Sequence, residues 1–266
     1  RCEASRGPGW LRTYQPHVVA PVTCLGRLGD YSANPIVGSA NVFTRALASA
    51  GLHVARTTYR QSGPARAPRG VLAGSVGHPL RTAVHHMLHV SENNIAEVLY
   101  RHTALARGLP ATWRGARTAA MATQRELGIE TTGARFTDGS GVSRADRLTA
   151  RGLAGLVRLT RTDRRFMTMY APAAMPRAGR SGTLAARYHR FSTKQTSCAR
   201  GRVIAKTGTL HDTVTLAGIA RGKRGTAAAG HTYAFAVLVN NRKASASKAT
   251  VRMHVDRLAT TLTGCW

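Results

Sequence analysis

Small and β-branched residues alternate along Val203-Ile204-Ala205-Lys206-Thr207-Gly208-Thr209, a period of two that predicts a strand near 202–208. Two further strands are predicted near 213–221 and 232–240. The last of them, Tyr233-Ala234-Phe235-Ala236-Val237-Leu238-Val239, has the apolar continuity of a central strand. Upstream the spacing becomes helical. Asn34-Pro35 supplies an N-cap and a proline for the first helical position, opening a helix that runs to about Ala50 before Gly51. Pro79 opens a second helix, Leu80 to about Val90. Ser91 is read as the cap of a third, from about Asn93 to Ala106, and Pro110 opens a fourth that ends at Leu127 before Gly128. Two more helices are predicted over Leu148 to Thr160 and roughly 248–262. Val71 to Val76 reads as a strand, Asp138-Gly139-Ser140-Gly141 as a tight turn, and 171–182 as a loop. Helices, then a run of antiparallel strands, then a closing helix predict a mixed α/β (α+β) sheet with helices packed against it.

The length of 266 residues allows one large domain or two small ones, and 43% hydrophobic content is ordinary for a globular chain. No apolar run approaches the roughly 18 residues of a membrane span. No charged-then-apolar leader stands at Arg1, so the chain reads as a mature product or a fragment. Charge changes the picture more. Lys and Arg number 39 against 11 acidic residues, a formal net charge of +28. Such a field attracts polyanions. The basic residues are nearly all arginines, however, spread singly without a run of five and without interleaved aromatics. A compositional bias toward Arg, Ala and Gly accounts for that spread, and no specific nucleic-acid partner is expected.

The cysteines, Cys2, Cys24, Cys198 and Cys265, have no C-x-x-C spacing, which argues against a zinc site. Their even number is compatible with disulfides in an exported protein. Sequence does not fix the pairing. Cys2 with Cys24 and Cys198 with Cys265 is the working arrangement, because the second pair would tie the lead-in of the Lys206 strand to the C-terminal end.

Two stretches carry candidate chemistry. Lys206-Thr207-Gly208-Thr209 offers a strand edge with backbone hydrogen bonds, two hydroxyls and one fixed positive charge, features that suit an extended peptide with a free C-terminus. On its own the tripeptide K-T-G also fits an ordinary strand. Ser91-Glu92-Asn93 lies at a helix corner, where N-capping is an equally ordinary account. His85, His86 and His89 include an i, i+4 pair, but the Glu of H-E-x-x-H is missing and a plain helix face explains them. Gly139-Ser140-Gly141 lacks the G-x-S-x-G of a nucleophile elbow.

Taken together and in order, S-x-N and K-T-G resemble the second and third motifs of the active-site serine penicillin-recognising enzymes. His78-Pro79-Leu80, Val90 through Leu99, Asp138-Gly139-Ser140-Gly141-Val142-Ser143-Arg144 and Gly182-Thr183-Leu184-Ala185-Ala186-Arg187 narrow the resemblance. They are similar to the D-alanyl-D-alanine carboxypeptidase/endopeptidases, the DacB-type low-molecular-mass penicillin-binding proteins, over about Trp10 to Val239.

The resemblance implies a transpeptidase/β-lactamase-like fold, here incomplete, with a mainly antiparallel sheet and helices on both sides. Residues 1–68 would be a remnant of the region this family inserts, and 69–266 the C-terminal part of the catalytic domain. The implied reaction is acyl-enzyme hydrolysis of D-Ala-D-Ala stem peptides of peptidoglycan, outside the cytoplasm, with no metal and no cofactor. Ser91 would relay the leaving-group proton, Lys206 hold the local field and Asn93 bind the substrate amide. Thr207 and Thr209, around Gly208, would hold the terminal carboxylate, with the Thr209 N–H as half of an oxyanion hole. Asp138 and Ser140 would fix a loop at the edge of the site. The family's nucleophile sits in an S-x-x-K well upstream of S-x-N. The one S-x-x-K in this sequence, Ser245-Ala246-Ser247-Lys248, follows the K-T-G strand and reads as a helix start. The 266 residues are therefore expected to lack the nucleophile, and β-lactams would react only were it restored. Two other readings are a catalytically silent remnant that binds wall peptides and, from charge alone, a nucleic-acid-binding protein.

Overall fold

The computed structural model describes residues 6–23, 26–54, 79–243 and 245–265. The strand expected at 71–76 and the pairing of Cys2 with Cys24 lie outside the described residues. The chain divides into two compact units. The first draws on Arg1–Pro79, Asn93–Arg117 and Thr137–Ala145, and the second on Leu80–Glu92, Thr118–Phe136 and Asp146–Trp266.

The second unit holds the sheet. β1 (Val203–Thr209), β2 (Val214–Arg221) and β3 (Thr232–Val239) run antiparallel in the order β1-β2-β3. Val203 pairs with Ala220 and Thr209 with Val214 across the first ladder, while Val214 pairs with Val239 across the second. Period-two alternation gives the strands two apolar faces, and each has found a helix. Val203, Ala205, Leu216 and Phe235 pack with Val255 and Ala259 of the closing helix, numbered α6 (Lys248–Thr261). Ile204, Ala217 and Ile219 pack on the other side. Their partners are Leu88 of α2 (Leu80–Val90) and Val157 of α5 (Ala150–Thr162). The result is a three-layer α/β arrangement with helices on both sides of an antiparallel sheet.

Two cross-links secure α6. Cys198 and Cys265 are bridged with Cα atoms 6.0 Å apart, as the working arrangement required. Arg190 meets Asp256 in a buried two-pronged pair, Nε to Oδ2 at 2.8 Å and Nη2 to Oδ1 at 2.6 Å. The Phe191 N–H also donates to that carboxylate. A buried ion pair offsets its desolvation only with such added hydrogen bonds.

The first unit contains α1 (Pro35–Ser49), α3 (Asn93–Leu105) and the first turn of α4 (Trp113–Glu126). Asn34 caps α1 by accepting from the Val37 N–H, and Gly51 follows its end at φ +81°. Trp10 is buried, stands edge-on to Trp113 at 5.6 Å, and donates through Nε1 to Asp138. Arg101 lies over the Trp113 ring.

Helix starts are where expectation and structure part. α4 begins three residues after Pro110, because the Thr112 hydroxyl accepts from the Gly115 N–H and sets the cap there. α5 begins at Ala150, since Thr149 caps it through the Gly152 N–H. Short 3-10 turns at Arg164–Tyr170, Gly182–Leu184, Ala186–Tyr188 and Ser197–Ala199 had no pattern to announce them.

Candidate active site

Ser91 does not cap α3. It adopts φ +63°, and the Glu92 N–H reaches back to the Met87 carbonyl at 3.0 Å, closing α2 with the left-handed residue that usually is glycine. That conformation takes its hydroxyl to the sheet. Lys206 follows Ile204 by two and shares its face, the side that packs on α2. Lys206 Nζ donates to Ser91 Oγ at 2.5 Å and to the Thr207 carbonyl at 2.7 Å. The lysine is half-buried as a residue, but its ammonium end is enclosed. Burial pulls its pKa down from 10.5 to about 8.

The strand edge beside this pair is partly covered. The Ala178 N–H donates to the Val203 carbonyl and the Ala205 N–H to the Pro176 carbonyl, so odd-numbered residues of β1 turn their backbone groups away from β2. The covering segment pairs with β1 only as far as Ala205. By the same alternation Thr207 and Thr209 face this outer edge, and the Thr209 N–H has no backbone partner among the described residues. Thr209 is exposed. At Gly208 a Cβ would run into the Thr215 hydroxyl on β2, so the close neighbour there is a side chain. Thr183 Oγ1 stands 2.8 Å from Thr207 Oγ1. Thr183 is carried by Gly182, at φ +57°, whose missing Cβ would sit 2.6 Å from the His89 carbonyl at the end of α2.

Five of the expected site residues, Ser91, Lys206, Thr207, Gly208 and Thr209, thus lie in the second unit. Asn93, Asp138 and Ser140 belong to the first. Asn93 Nδ2 donates to the Val18 carbonyl at 2.8 Å. Asp138 accepts from Trp10 Nε1, the Gly141 N–H and the Ser143 N–H at 2.7–2.8 Å. A second carboxylate holds the same loop: Glu97, fully buried on α3, accepts from the Gly139 and Ser140 N–H groups. Desolvation, and then the nearby Asp138 charge, push Glu97 up to about 7. Sequence reasoning gave Thr183 and Glu97 no role. Both stood inside recognised runs, and only tertiary contact shows what they touch.

His89 Nδ1 is 3.1 Å from the Ala174 carbonyl, and among the described residues no three His, Cys, Asp or Glu side chains converge as a metal site would require. Ser245 is exposed, and Ser247 caps α6 by accepting from the Thr250 N–H, so S-x-x-K there is a helix start. No described helix is long and apolar enough to cross a membrane.

An antiparallel sheet with helices on both sides is the fold this chain shares with a penicillin-binding protein. Penicillin binding protein 4 (DacB) from Haemophilus influenzae, crystallised with a novel β-lactam, superposes at a TM-score of 0.67. The match covers 86% of this chain and 52% of that one at 23% identity. The model of the D-Ala-D-Ala carboxypeptidase 3 (S13) family matches residues 30–262, and the chain belongs to that family. Carboxypeptidase DacB of Mycolicibacterium smegmatis is 35% identical over 187 residues, 70% of this chain and 38% of that protein. A Mycobacterium tuberculosis carboxypeptidase is 31% identical over 203 residues, 76% of this chain and 41% of that protein. The chain spans less than half the length of these curated relatives.

Proposed function

We propose that these 266 residues supply the S-x-N and K-T-G walls of a serine-type D-Ala-D-Ala carboxypeptidase/endopeptidase site. It acts on peptidoglycan stem peptides outside the cytoplasm, and the attacking serine comes from an S-x-x-K element beyond this sequence. The observation that carries the reading is the Lys206–Ser91 contact. Because Lys206 Nζ donates, Ser91 Oγ accepts there and its own proton is available for a leaving amine. A lysine with a pKa near 8 can resupply that proton without a large barrier. The Thr207 and Thr209 hydroxyls and the outward Thr209 N–H suit the carboxylate and scissile carbonyl of a peptide laid along the edge of β1. Asn93 takes the substrate amide in this reading, and Asp138 and Ser140 form the loop at the site's edge. β-Lactams become ligands only once the nucleophile is present. No metal or cofactor enters the scheme.

A second reading, a silent wall-peptide-binding remnant, draws on one observation: within the sequence the S-x-x-K is spent on starting α6. Calorimetric titration with an N-acylated D-Ala-D-Ala peptide and with its C-terminal amide tests the site common to both. Binding that requires the free carboxylate and is lost in T209V is expected. Equal binding of the amide would sink the assignment. An in-frame S-x-x-K in the coding sequence upstream decides between enzyme and remnant.

A further inference from the structure

The arginines look scattered in sequence, but folding gathers five of them at the start of β1. Arg202 and Arg221 face each other across the first ladder, with the Arg221 N–H donating to the Arg202 carbonyl at 3.0 Å. Arg180 lays its guanidinium against Gly201, 2.8 Å from where a Cβ would be, and Arg200 lays its stem and Nε over Gly179 at 2.7–2.8 Å. Arg177, beside them, donates from Nη2 to the Tyr170 carbonyl at 2.7 Å, while its Nε is buried without a hydrogen-bond partner. Arg200 reaches the Gly179 carbonyl and Arg202 the Gly222 carbonyl. No carboxylate among the described residues pairs with any of the five.

Like charges held this close repel, and among the described residues they are met by backbone carbonyls but by no carboxylate. Burial first, and then the charges of Arg221 and Arg180, depress the pKa of Arg177. Guanidinium forks of this kind match phosphate oxygens two at a time. They come from three separate segments, 177–180, 200–202 and 221, so they can engage successive anionic groups rather than one. None of the five lies over an aromatic ring among the described residues, which leaves bases nothing to stack on. Arg202 precedes Lys206 by four residues, about 13 Å along a strand, so this cluster and the Lys206–Ser91 contact sit apart on β1.

We propose that Arg177, Arg180, Arg200, Arg202 and Arg221 form a binding site for a chain of phosphate groups, a polyanion recognised by its phosphates and not by bases. The test uses the intact chain, with sodium polyphosphate, orthophosphate at equal phosphate concentration, and oligodeoxythymidine of equal phosphate number as probes. Two cluster variants, R180Q/R200Q and R202Q/R221Q, are compared with R151Q/R158Q on α5, which removes the same charge elsewhere. Circular dichroism confirms that each is folded, and two independent cluster variants guard against the loss of one. The expected result is polyphosphate binding at least about tenfold weaker in a cluster variant and within about twofold of wild type in the control. Equal loss in the control would assign the binding to the general field and overturn the site. Orthophosphate binding as tightly as the polymer, or oligodeoxythymidine binding more tightly, would overturn the ligand class.

Discussion

Thr183 Oγ1 lies 2.8 Å from Thr207 Oγ1, joining the Gly182–Leu184 turn to the strand that carries K-T-G. One hydroxyl thereby sets the direction in which the other can donate. In the peptide-binding reading, T183V leaves Thr207 free to rotate. Affinity for a D-Ala-D-Ala carboxylate should fall by about fivefold, the worth of one neutral hydrogen bond near 1 kcal/mol. T183S should restore it. Titration calorimetry on both variants checks this, and unchanged affinity in T183V would remove Thr183 from the site.

The chain as given should not be acylated by penicillin. Ser91 is engaged by Lys206, and Ser245 is an exposed residue at a helix start. Removing a serine nucleophile leaves only about 10³–10⁴-fold acceleration over water from binding and the oxyanion hole. Incubation with a fluorescent penicillin, denaturation and electrophoresis should show no covalent band. A band mapped by mass spectrometry to Ser245 or any other residue would overturn the motif assignment.

Lys206 gives the second unit a pH dependence with a definite sign. Its folded pKa, about 8, is below the ordinary 10.5, so between those values the unfolded chain binds more protons than the native one. Stability therefore rises with pH across that window and is lower below it. Thermal melts from pH 7.5 to 10.5 should show wild type gaining on K206M. Parallel curves would mean that the ammonium is not desolvated.

Glu97 acts in the opposite direction. Its folded pKa, about 7, exceeds the ordinary 4.5, so its contribution is present below about pH 4.5 and lost as pH rises through 7. The like charge of Asp138 disfavours the ionised form of Glu97, while Arg101 attracts the Glu97 carboxylate. E97Q stays neutral and can still accept from the Ser140 N–H. Between pH 4.5 and 7.5 the melting temperature of wild type should drop relative to E97Q. A constant difference would refute the shift.

Much of this was legible along the chain, and the reason is locality. α2 and the three strands announce themselves because their patterns repeat within a few residues and Pro79 and the turns punctuate them. The Cys198–Cys265 pair followed from asking what would tie β1 to the end. Ser91 was misread because a left-handed helix terminus usually advertises itself with glycine. Nothing in the local pattern marks Glu97 as buried, because its burial depends on a loop 42 residues away. The arginines at 177, 180, 200, 202 and 221 are singletons in sequence and neighbours only after folding.

The Cys198–Cys265 bridge should contribute about 4 kcal/mol by chain entropy, since it closes a loop of 67 residues. C198S/C265S should melt correspondingly earlier, and an unchanged melting temperature would show that the bridge contributes nothing.

The same bridge also decides where a mechanical load would travel. Tension applied beyond Cys265 enters through one sulfur and leaves through the other, rejoining the backbone at Cys198, ahead of β1. The 66 intervening residues, with all three strands and α6, form a slack side branch that carries no force. A pull on that end should therefore peel the segments before Cys198 while the strand bearing Lys206 and Thr209 keeps its pairing. After reduction the same pull would unzip α6 first and the sheet next.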